Sequence, residues 1–234
     1  MTGDGGDADA PGNRVISVVD AVCCVYFCAA GKSSLLSSVL VGLGMEILVP
    51  AEVEREVLRK RLGQVQAHWP RMRASARVKI LDPLDPTDGR SAVLLTVARI
   101  RETSAQLALS RSRDLGEAVV IGHAKVLADA GHEVCVVIDD QDGQTLATME
   151  GLAVLAVEDL LLAAVQLGLL APERLRRTYE DLIPFGSGLP TWDASPLKQQ
   201  FKEWRRTQPQ PAATTSARLS PPRPAAEGGG RPAG

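Results

Sequence analysis

Acidic residues follow two β-branched runs of this sequence at the points where a strand would end. Asp20 comes directly after VISVV at residues 15–19. Asp139 and Asp140 come directly after EVCVVI at residues 133–138. Such runs are typical of strands buried on both faces, and ligands of open parallel sheets bind beyond the carboxyl ends of the strands. Because uncompensated carboxylates repel each other, the pattern predicts a crevice in which the acids share a cation.

The same aspartates stand where a helix would begin, which offers a simpler interpretation. There a side chain caps the helix by accepting hydrogen bonds from free backbone amides. One strand-ending aspartate would favour capping, whereas two such strands favour a site. Glu117 strengthens the site because it lies in the first turn of an amphipathic helix predicted over residues 114–130, on one face with Asp114. For Glu117 the alternative is an acidic first turn that only balances the helix dipole.

A further acid is expected on a helix that starts at Pro50. Its glutamates are Glu52, Glu54 and Glu56, and the pattern alone does not choose among them. Most glutamates on such a helix are simply solvated. Only a resemblance to known proteins can indicate which of the three glutamates belongs to the site.

The elements that must hold these acids alternate between strand and helix. This alternation predicts an α/β fold with a mostly parallel central sheet and helices on both faces. The predicted strands are 15–19, 46–49, 77–81, 133–138 and 153–157, and the predicted helices are 21–30, 33–40, 91–108, 114–130, 142–150, 158–167 and 172–182, besides the one that starts at Pro50.

Composition sets limits on the class of protein. The chain has 234 residues, 45% of them hydrophobic and 3% aromatic, which suits one domain with an aliphatic core. Its four cysteines lack the spacing of zinc ligands and are expected to be reduced core residues. No apolar run reaches the roughly 18 residues that span a bilayer, and the acidic N-terminus is unlike a secretory signal. We therefore expect a soluble, cytoplasmic protein that makes no membrane contact.

Changes in composition also divide the chain into four parts. Residues 1–13 and 207–234 are rich in Gly, Pro and Ala without hydrophobic periodicity, and are predicted to be disordered tails. Residues 14–185 are predicted to form the α/β domain. Residues 186–206 are predicted to form a helical extension at its C-terminal side.

Four segments of the chain, in order, are VISVVDAVCCVYFCAAG, VPAEVEREV, DLGEAVVIGHA and CVVIDDQDGQTLA. Together they resemble the PIN-domain ribonucleases, above all the toxin ribonucleases of bacterial toxin–antitoxin modules. The resemblance covers roughly residues 15–182, and it rests on the order of the segments, since no single string is distinctive. It implies a PIN-like three-layer sandwich with a mostly parallel central sheet.

The resemblance also implies a set of catalytic acids. These are Asp20, Glu56, Glu117, Asp139 and Asp140, with Glu56 selected as the glutamate before valine in V-x-x-E-V. In the family such acids hold Mg²⁺ or Mn²⁺, and here Asp20, Glu117, Asp139 and Asp140 would be the metal ligands. Hard cations of this kind prefer carboxylate oxygen and promote attack of water on a phosphodiester. The implied function is that of a metal-dependent endoribonuclease.

Departures from the family pattern keep other functions open. The family usually has Ser or Thr and then Asn after the first aspartate, where this chain has Ala21 and Val22. It often has Arg where this chain has Gln144, and Asp142 adds a further acid that could join the site. A degenerate PIN module that binds RNA or a protein without cleavage is therefore the alternative. A phosphatase of the haloacid dehalogenase type would need Asp-x-Asp after the first strand, which the chain lacks.

Partners follow from charge and from the resemblance. With a formal net charge of −2, RNA must be held by local basic patches. Arg111 and Arg113, just before Glu117, and Lys125 beyond it are predicted to contact phosphates, although a solvated surface explains them equally well. The resemblance implies a small antitoxin protein as a second partner, and a homodimer is left open.

Overall fold

Parallel strands form the centre of the molecule. The computed structural model describes residues 15–75, 77–110, 115–186 and 188–208. The strands are β1 (Val15–Val19), β2 (Met45–Pro50), β3 (Val78–Leu81), β4 (Val134–Val137) and β5 (Ala153–Leu155). Their order in the sheet is β3-β2-β1-β4-β5, and every neighbouring pair is parallel. The central strand β1 therefore lies beside β4, so the residues that follow the two strands emerge side by side.

Helices cover the sheet. In the described ranges they are α1 (Ala21–Ala29), α2 (Ser33–Gly42), α3 (Ala51–Arg59), α4 (Gly63–Arg73), α5 (Ala92–Ile100), α6 (Leu115–Asp129), α7 (Gln141–Met149), α8 (Val157–Gln166), α9 (Leu175–Glu180) and α10 (Pro196–Thr207). The predicted α/β sandwich is confirmed, and the sheet is wholly parallel in the described residues. None of these helices has the length and apolar character that a membrane crossing requires.

Burial explains why the two central strands are β-branched runs. Val18 and Val19 of β1 and Val136 and Val137 of β4 have no solvent exposure. A strand covered by helices on both faces gains from apolar side chains at every position, so it shows no alternation with polar residues. The four cysteines are all buried and form no disulfide, as expected for core residues.

Three predicted helix starts or ends were wrong. Pro50 is not the first residue of α3 but the last residue of β2, paired with Leu81, and it precedes the helix in an extended conformation. The helix predicted to reach residue 108 ends at Ile100, because Glu102 adopts a left-handed backbone conformation with φ of 49°. The helix predicted over 172–182 is a 3-10 turn followed by the shorter α9.

One helix was missed altogether. In α4 the buried residues Val65, Trp69 and Met72 recur at helical spacing, which is the signal that could have revealed it. Pro70 lies inside this helix and obscures the pattern, because proline usually ends helices. The indole of Trp69 donates a hydrogen bond to Glu54 of α3 at 3.3 Å, which ties the two helices together.

The last helix, α10, packs against α8. Leu197 of α10 and Trp192, shortly before it, are buried in the main core. The extension predicted over 186–206 thus shares the core of the domain. The predicted bounds of the tails, the domain and the extension stay predictions. Of the predicted tails, residues 1–13 and 209–234 lie outside the described residues.

Candidate active site at the carboxyl edge of the sheet

Asp20 occupies the junction between β1 and α1. Its backbone N–H donates to the carbonyl of Val137 at the end of β4, and the residue is only 2% exposed. Oδ2 accepts a hydrogen bond from the backbone N–H of Val22 at 3.0 Å, so Asp20 does cap α1. Burial raises the pKa of this carboxyl to about 6, and the charges of Glu56 and Asp140 contribute to the rise. Asp20 therefore caps α1 with one carboxylate oxygen and also lies near two other acids, Glu56 and Asp140.

Local contacts separate the three glutamates of α3. Glu52 accepts a hydrogen bond from the backbone of Leu84 at 3.1 Å and so fixes a loop. Glu54 forms an ion pair with Arg73 at 2.9 Å, which ties α3 to α4. Glu56 instead lies close enough to Asp20 for its charge to affect the Asp20 pKa. Glu56 is therefore the glutamate of this helix that joins the candidate site.

Gly116 in the first turn of α6 faces both acids. A Cβ atom at this position would lie 3.0 Å from Oε2 of Glu56 and 3.5 Å from Oδ1 of Asp20. A larger residue would press on Oε2 of Glu56, whereas 3.5 Å to Oδ1 of Asp20 is an ordinary van der Waals contact. Because residue 116 is glycine, the carboxylates of Asp20 and Glu56 can both lie close to the first turn of α6.

The side chain of Glu117, the next residue, lies beside the first turn of α7. A Cβ at Gly143 would lie 3.3 Å from both Cγ and Cδ of Glu117. The backbone N–H of Gly143 donates to Oδ1 of Asp140 at 3.2 Å. Glu117 therefore lies next to the helix start that Asp140 caps. Asp114, the further acid predicted on this helix, lies outside the described residues.

The two aspartates after β4 contact the starts of two different helices. Asp140 is exposed and caps α7 through Oδ1, which also accepts from the backbone N–H of Asp142 at 2.9 Å. Asp139 is half-buried, and its Oδ1 accepts from the backbone N–H of Val157 at the start of α8, at 3.3 Å. Asp140 contributes to the raised pKa of both Asp20 and Asp139, so it is near both. Asp142 itself is exposed on the first turn of α7.

Glu158 is an acid near the site that the sequence analysis missed. It is 7% exposed, and its Oε1 accepts hydrogen bonds from the hydroxyls of Tyr179 at 3.3 Å and Ser195 at 3.4 Å. The pKa of Asp139 is raised to about 6, first by burial and next by the charge of Glu158. An acid that follows β5 and opens the otherwise apolar helix VEDLLLAAV was the available signal.

A cavity of about 270 Å³ opens beside Asp139. On one side the amide of Gln144 donates to the carbonyls of Ile138 and Asp139, at 3.0 and 3.2 Å, and so holds the end of β4 in place. Glutamine thus has a positioning role where the family often has arginine. Among the other lining residues are Glu158, Asp159, Pro190, Pro196 and Gln200.

Lys125 is the one residue of the predicted basic rim that lies within the described ranges. Lys125 forms an ion pair with Asp129, one turn further along α6. Its charge is therefore already balanced by a neighbour. Arg111 and Arg113 lie outside the described residues, so their predicted role stays a prediction.

The donor set fits a divalent cation by its chemistry. The carboxylates of Asp20, Glu56 and Asp140, which lie close together, are the kind of oxygen donor that Mg²⁺ and Mn²⁺ prefer. Burial, and to a smaller extent the charges of neighbouring acids, raises the pKa of Asp20 and Asp139, and such an ion would offset both effects. Within the described ranges, however, no three Asp, Glu, His or Cys side chains are arranged to hold a metal.

Comparison with known proteins gives one match. The family model of the PIN domain matches residues 16–187, which is well over half of the chain and includes Asp20, Glu56, Glu117, Asp139 and Asp140. No curated protein and no solved structure matches significantly. PIN domains are in general nucleases, and they typically use divalent metal ions. With its parallel sheet and its acids at the carboxyl edge, this chain belongs to the PIN-domain family.

Proposed function

We propose that this protein is a metal-dependent endoribonuclease that hydrolyses RNA phosphodiester bonds. The observation that carries the proposal is the approach of Asp20 and Glu56 on the first turn of α6, with Asp140 close by. These acids come from three separate elements, and a single capping role explains only part of their contacts. Carboxylates gathered at the carboxyl edge of a parallel sheet suit cation-assisted phosphoryl chemistry.

The acids have different tasks in this proposal. Asp20, Glu117, Asp139 and Asp140 would hold Mg²⁺ or Mn²⁺. When bound, such a cation supplies positive charge that neutralises the charge developing on the phosphoryl oxygens. Glu56, whose Oε2 faces the same space as Asp20, would accept a proton from the attacking water.

Helix starts keep the aspartates in place. The Val22 N–H holds Oδ2 of Asp20, and the Asp142 and Gly143 N–H groups hold Oδ1 of Asp140. One oxygen of each carboxylate is thereby fixed while the other stays available. Such pre-organisation lowers the cost of assembling the site during the reaction.

A cleavage assay tests this function. Mixed RNA is incubated with Mn²⁺, with Mg²⁺ or with chelator, using the wild type, Asp20→Asn, and Glu173→Gln as a matched control at an exposed position. We expect cleavage that needs the ion, is lost in Asp20→Asn and is unchanged in Glu173→Gln. Absence of cleavage with either ion, or full activity in Asp20→Asn, would rule the proposal out.

The proposal extends to a toxin that a small antitoxin neutralises. It is supported by the likeness of the four sequence segments to toxin ribonucleases. Growth arrest on expression of the wild type but not of Asp20→Asn, relieved by the product of a small open reading frame beside the gene, is the expected result. Normal growth with active protein in the cell would exclude a toxin. Sedimentation of the purified protein would test the homodimer.

One observation favours a second candidate, a PIN module that binds RNA or a protein without cutting. Ala21 is 1% exposed and offers no hydroxyl where the family usually has one beside the first aspartate. A hydroxyl there could orient the carboxylate or a water. RNA binding in the presence of Mn²⁺ with no cleavage over hours would favour this candidate.

A further inference from the structure

We propose that α10 forms a docking groove for single-stranded RNA that guides the strand towards the acidic site. The inference rests on the proposed ribonuclease function, which supplies the kind of ligand. The groove, called here the α10 groove, has a volume of about 550 Å³ and is lined mainly by Trp192, Lys198, Phe201, Lys202, Arg205 and Arg206. It belongs to a helix that lies beyond residues 16–187, the part matched by the family model.

Charge is the first argument for a polyanionic occupant. The chain has a net charge of −2, yet α10 carries four cations and one acid, Glu203. Lys198 is paired with Asp193 at 2.6 Å. Within the part of the chain that the structure describes, Lys202, Arg205 and Arg206 have no ion-pair partner. A row of unpaired cations of this kind is suited to contact successive phosphates.

Aromatic rings between the cations are the second argument, and they favour a single strand. Phe201 and Trp204 are stacked with centroids 5.7 Å apart, and the guanidinium of Arg205 lies 5.8 Å from the Phe201 centroid. Proteins that bind single strands combine a basic groove with aromatic faces on which bases stack. Phe201 is the partly exposed ring that lines the groove, so a single strand can bring an unstacked base to it, whereas a duplex keeps its bases stacked on each other.

Contacts behind the groove connect it to the acidic site. Trp192 packs edge-on against Tyr179 with centroids 5.9 Å apart. The hydroxyl of Tyr179 donates to Glu158, a buried acid that lines the same cavity as Asp139. A strand in the α10 groove would therefore lie close to the catalytic acids.

The same helix also reaches the cavity beside Asp139. Gln200 of α10 lines that cavity, and its Oε1 is buried without a hydrogen-bond partner among the described residues. A buried acceptor without a donor is costly, so a ligand that brings an N–H or O–H group there is favoured. The groove face of α10 thus carries cations and aromatic rings, and Gln200 of the same helix places a hydrogen-bond acceptor in the cavity beside Asp139.

Charge reversal tests the groove. The variant Lys202→Glu/Arg205→Glu/Arg206→Glu is compared with Arg71→Glu/Arg77→Glu/Lys79→Glu, whose exposed cations lie on α4 and at β3, the opposite edge of the sheet from β5. Both variants change the net charge equally, so general repulsion affects both. The probe is a labelled single-stranded RNA of about 20 nucleotides in chelator, titrated at several salt concentrations.

We expect the α10 variant to bind at least tenfold more weakly and the control variant to bind nearly as the wild type does. Each phosphate contact contributes about −0.7 to the log–log salt slope, so the slope should flatten by about two units in the α10 variant alone. Equal effects in the two variants, or none in either, would overturn the proposal. If the α10 variant lacks a wild-type circular dichroism spectrum, Lys202→Gln/Arg206→Gln replaces it, Arg71→Gln/Lys79→Gln becomes the control, and the slope should flatten by about 1.4 units in the α10 variant alone.

Two further measurements separate this inference from its rivals. The wild type should prefer the single strand to a duplex of equal length, and Phe201→Leu should reduce that preference; equal binding of both would refute a single-strand groove. If the α10 variant kept RNA binding but lost binding of a small antitoxin, the groove would be a protein-docking surface and the proposal wrong. Because binding is measured in chelator and cleavage is measured separately with Mn²⁺, α10-dependent binding together with no cleavage in Mn²⁺ would count against the ribonuclease function alone.

Discussion

The carboxylates of Asp20 and Glu56 both lie next to Gly116, in the space that a side chain at this position would occupy. Oδ1 of Asp20 and Oε2 of Glu56 lie 3.5 and 3.0 Å from the place that a Cβ at Gly116 would occupy. Asp20 follows the central strand, and Glu56 lies on α3. The first turn of α6 therefore controls the spacing of two acids that it does not itself contribute.

Replacing Gly116 by alanine should separate these two acids. The new methyl group would push the flexible Glu56 side chain away from Asp20, and misplacement by about 1 Å can cost up to roughly 10²-fold in rate. We expect ribonuclease activity to fall tenfold or more, by about the same factor at all substrate concentrations. Stability should stay equal or rise by under about 1 kcal/mol, since alanine favours helix.

Gly63→Ala is the matched control for this prediction. Gly63 also lies in a first helical turn, that of α4, and a Cβ there would meet nothing within 4 Å. Activity should be retained in this variant, and melting temperatures should be similar in both. If Gly116→Ala were as active as Gly63→Ala, the spacing of Asp20 and Glu56 would not matter for the reaction.

Asp20→Asn should abolish metal-dependent activity while keeping the fold. The asparagine oxygen can still cap α1, but the charge is lost, and a loss of roughly 10²-fold or more is expected. In the wild type Mn²⁺ at 100 times its Kd should stabilise the fold by about 2.7 kcal/mol. Thermal melting with and without Mn²⁺ measures this. An unchanged metal-induced rise in melting temperature in the variant would show that Asp20 is not a ligand.

The stability of the metal-free protein should depend on pH through Asp20. Its pKa is raised to about 6 in the fold from an ordinary value of 3.8, so the folded state holds the proton more tightly than the unfolded chain does. The resulting stabilisation is present below about pH 4 and is lost as pH rises through 6, amounting to about 3 kcal/mol. Asp20→Asn mimics the protonated form and should lack this loss.

The measurement is the difference in melting temperature between Asp20→Asn and the wild type, both in chelator. It should be near zero at pH 4 and grow in favour of the variant up to pH 7. Exposed ion pairs titrate equally in both proteins, so they cancel in the difference. A constant difference across this range would mean that the Asp20 carboxyl titrates at its ordinary pKa.

Glu158→Gln should shift the acid limb of the activity profile to lower pH. The charge of Glu158 helps to raise the pKa of Asp139, so its removal should lower that pKa and leave the Asp139 carboxylate ionised at lower pH. Tyr179 can still donate to the amide oxygen. The profile of kcat/KM against pH measures the shift, with the exposed Glu173→Gln as control. A profile identical to that of the control would remove Glu158 from the site.

Much of the fold was accessible from the sequence because its signals are local. β-Branched runs mark β1 and β4, since strands covered on both faces need apolar side chains throughout. The end of α5 was not accessible, because it depends on the left-handed conformation of Glu102. The apolar spacing of Val65, Trp69 and Met72 in α4 was local but was masked by Pro70.

The site divides in the same way between sequence and tertiary structure. By itself the sequence determined that Asp20 and the Asp139–Asp140 pair each follow a strand and precede a helix, because strand ends and helix starts depend on adjacent residues. Only the tertiary structure decided that these two strands lie side by side, and which partners the glutamates have. Glu54 turns to Arg73 and Glu56 to Asp20, since side-chain partners of distant segments are set by how α3 packs. Burial of Glu158 near Asp139 likewise depends on contacts from Tyr179 and Ser195, which lie far along the chain and meet it only in the folded protein.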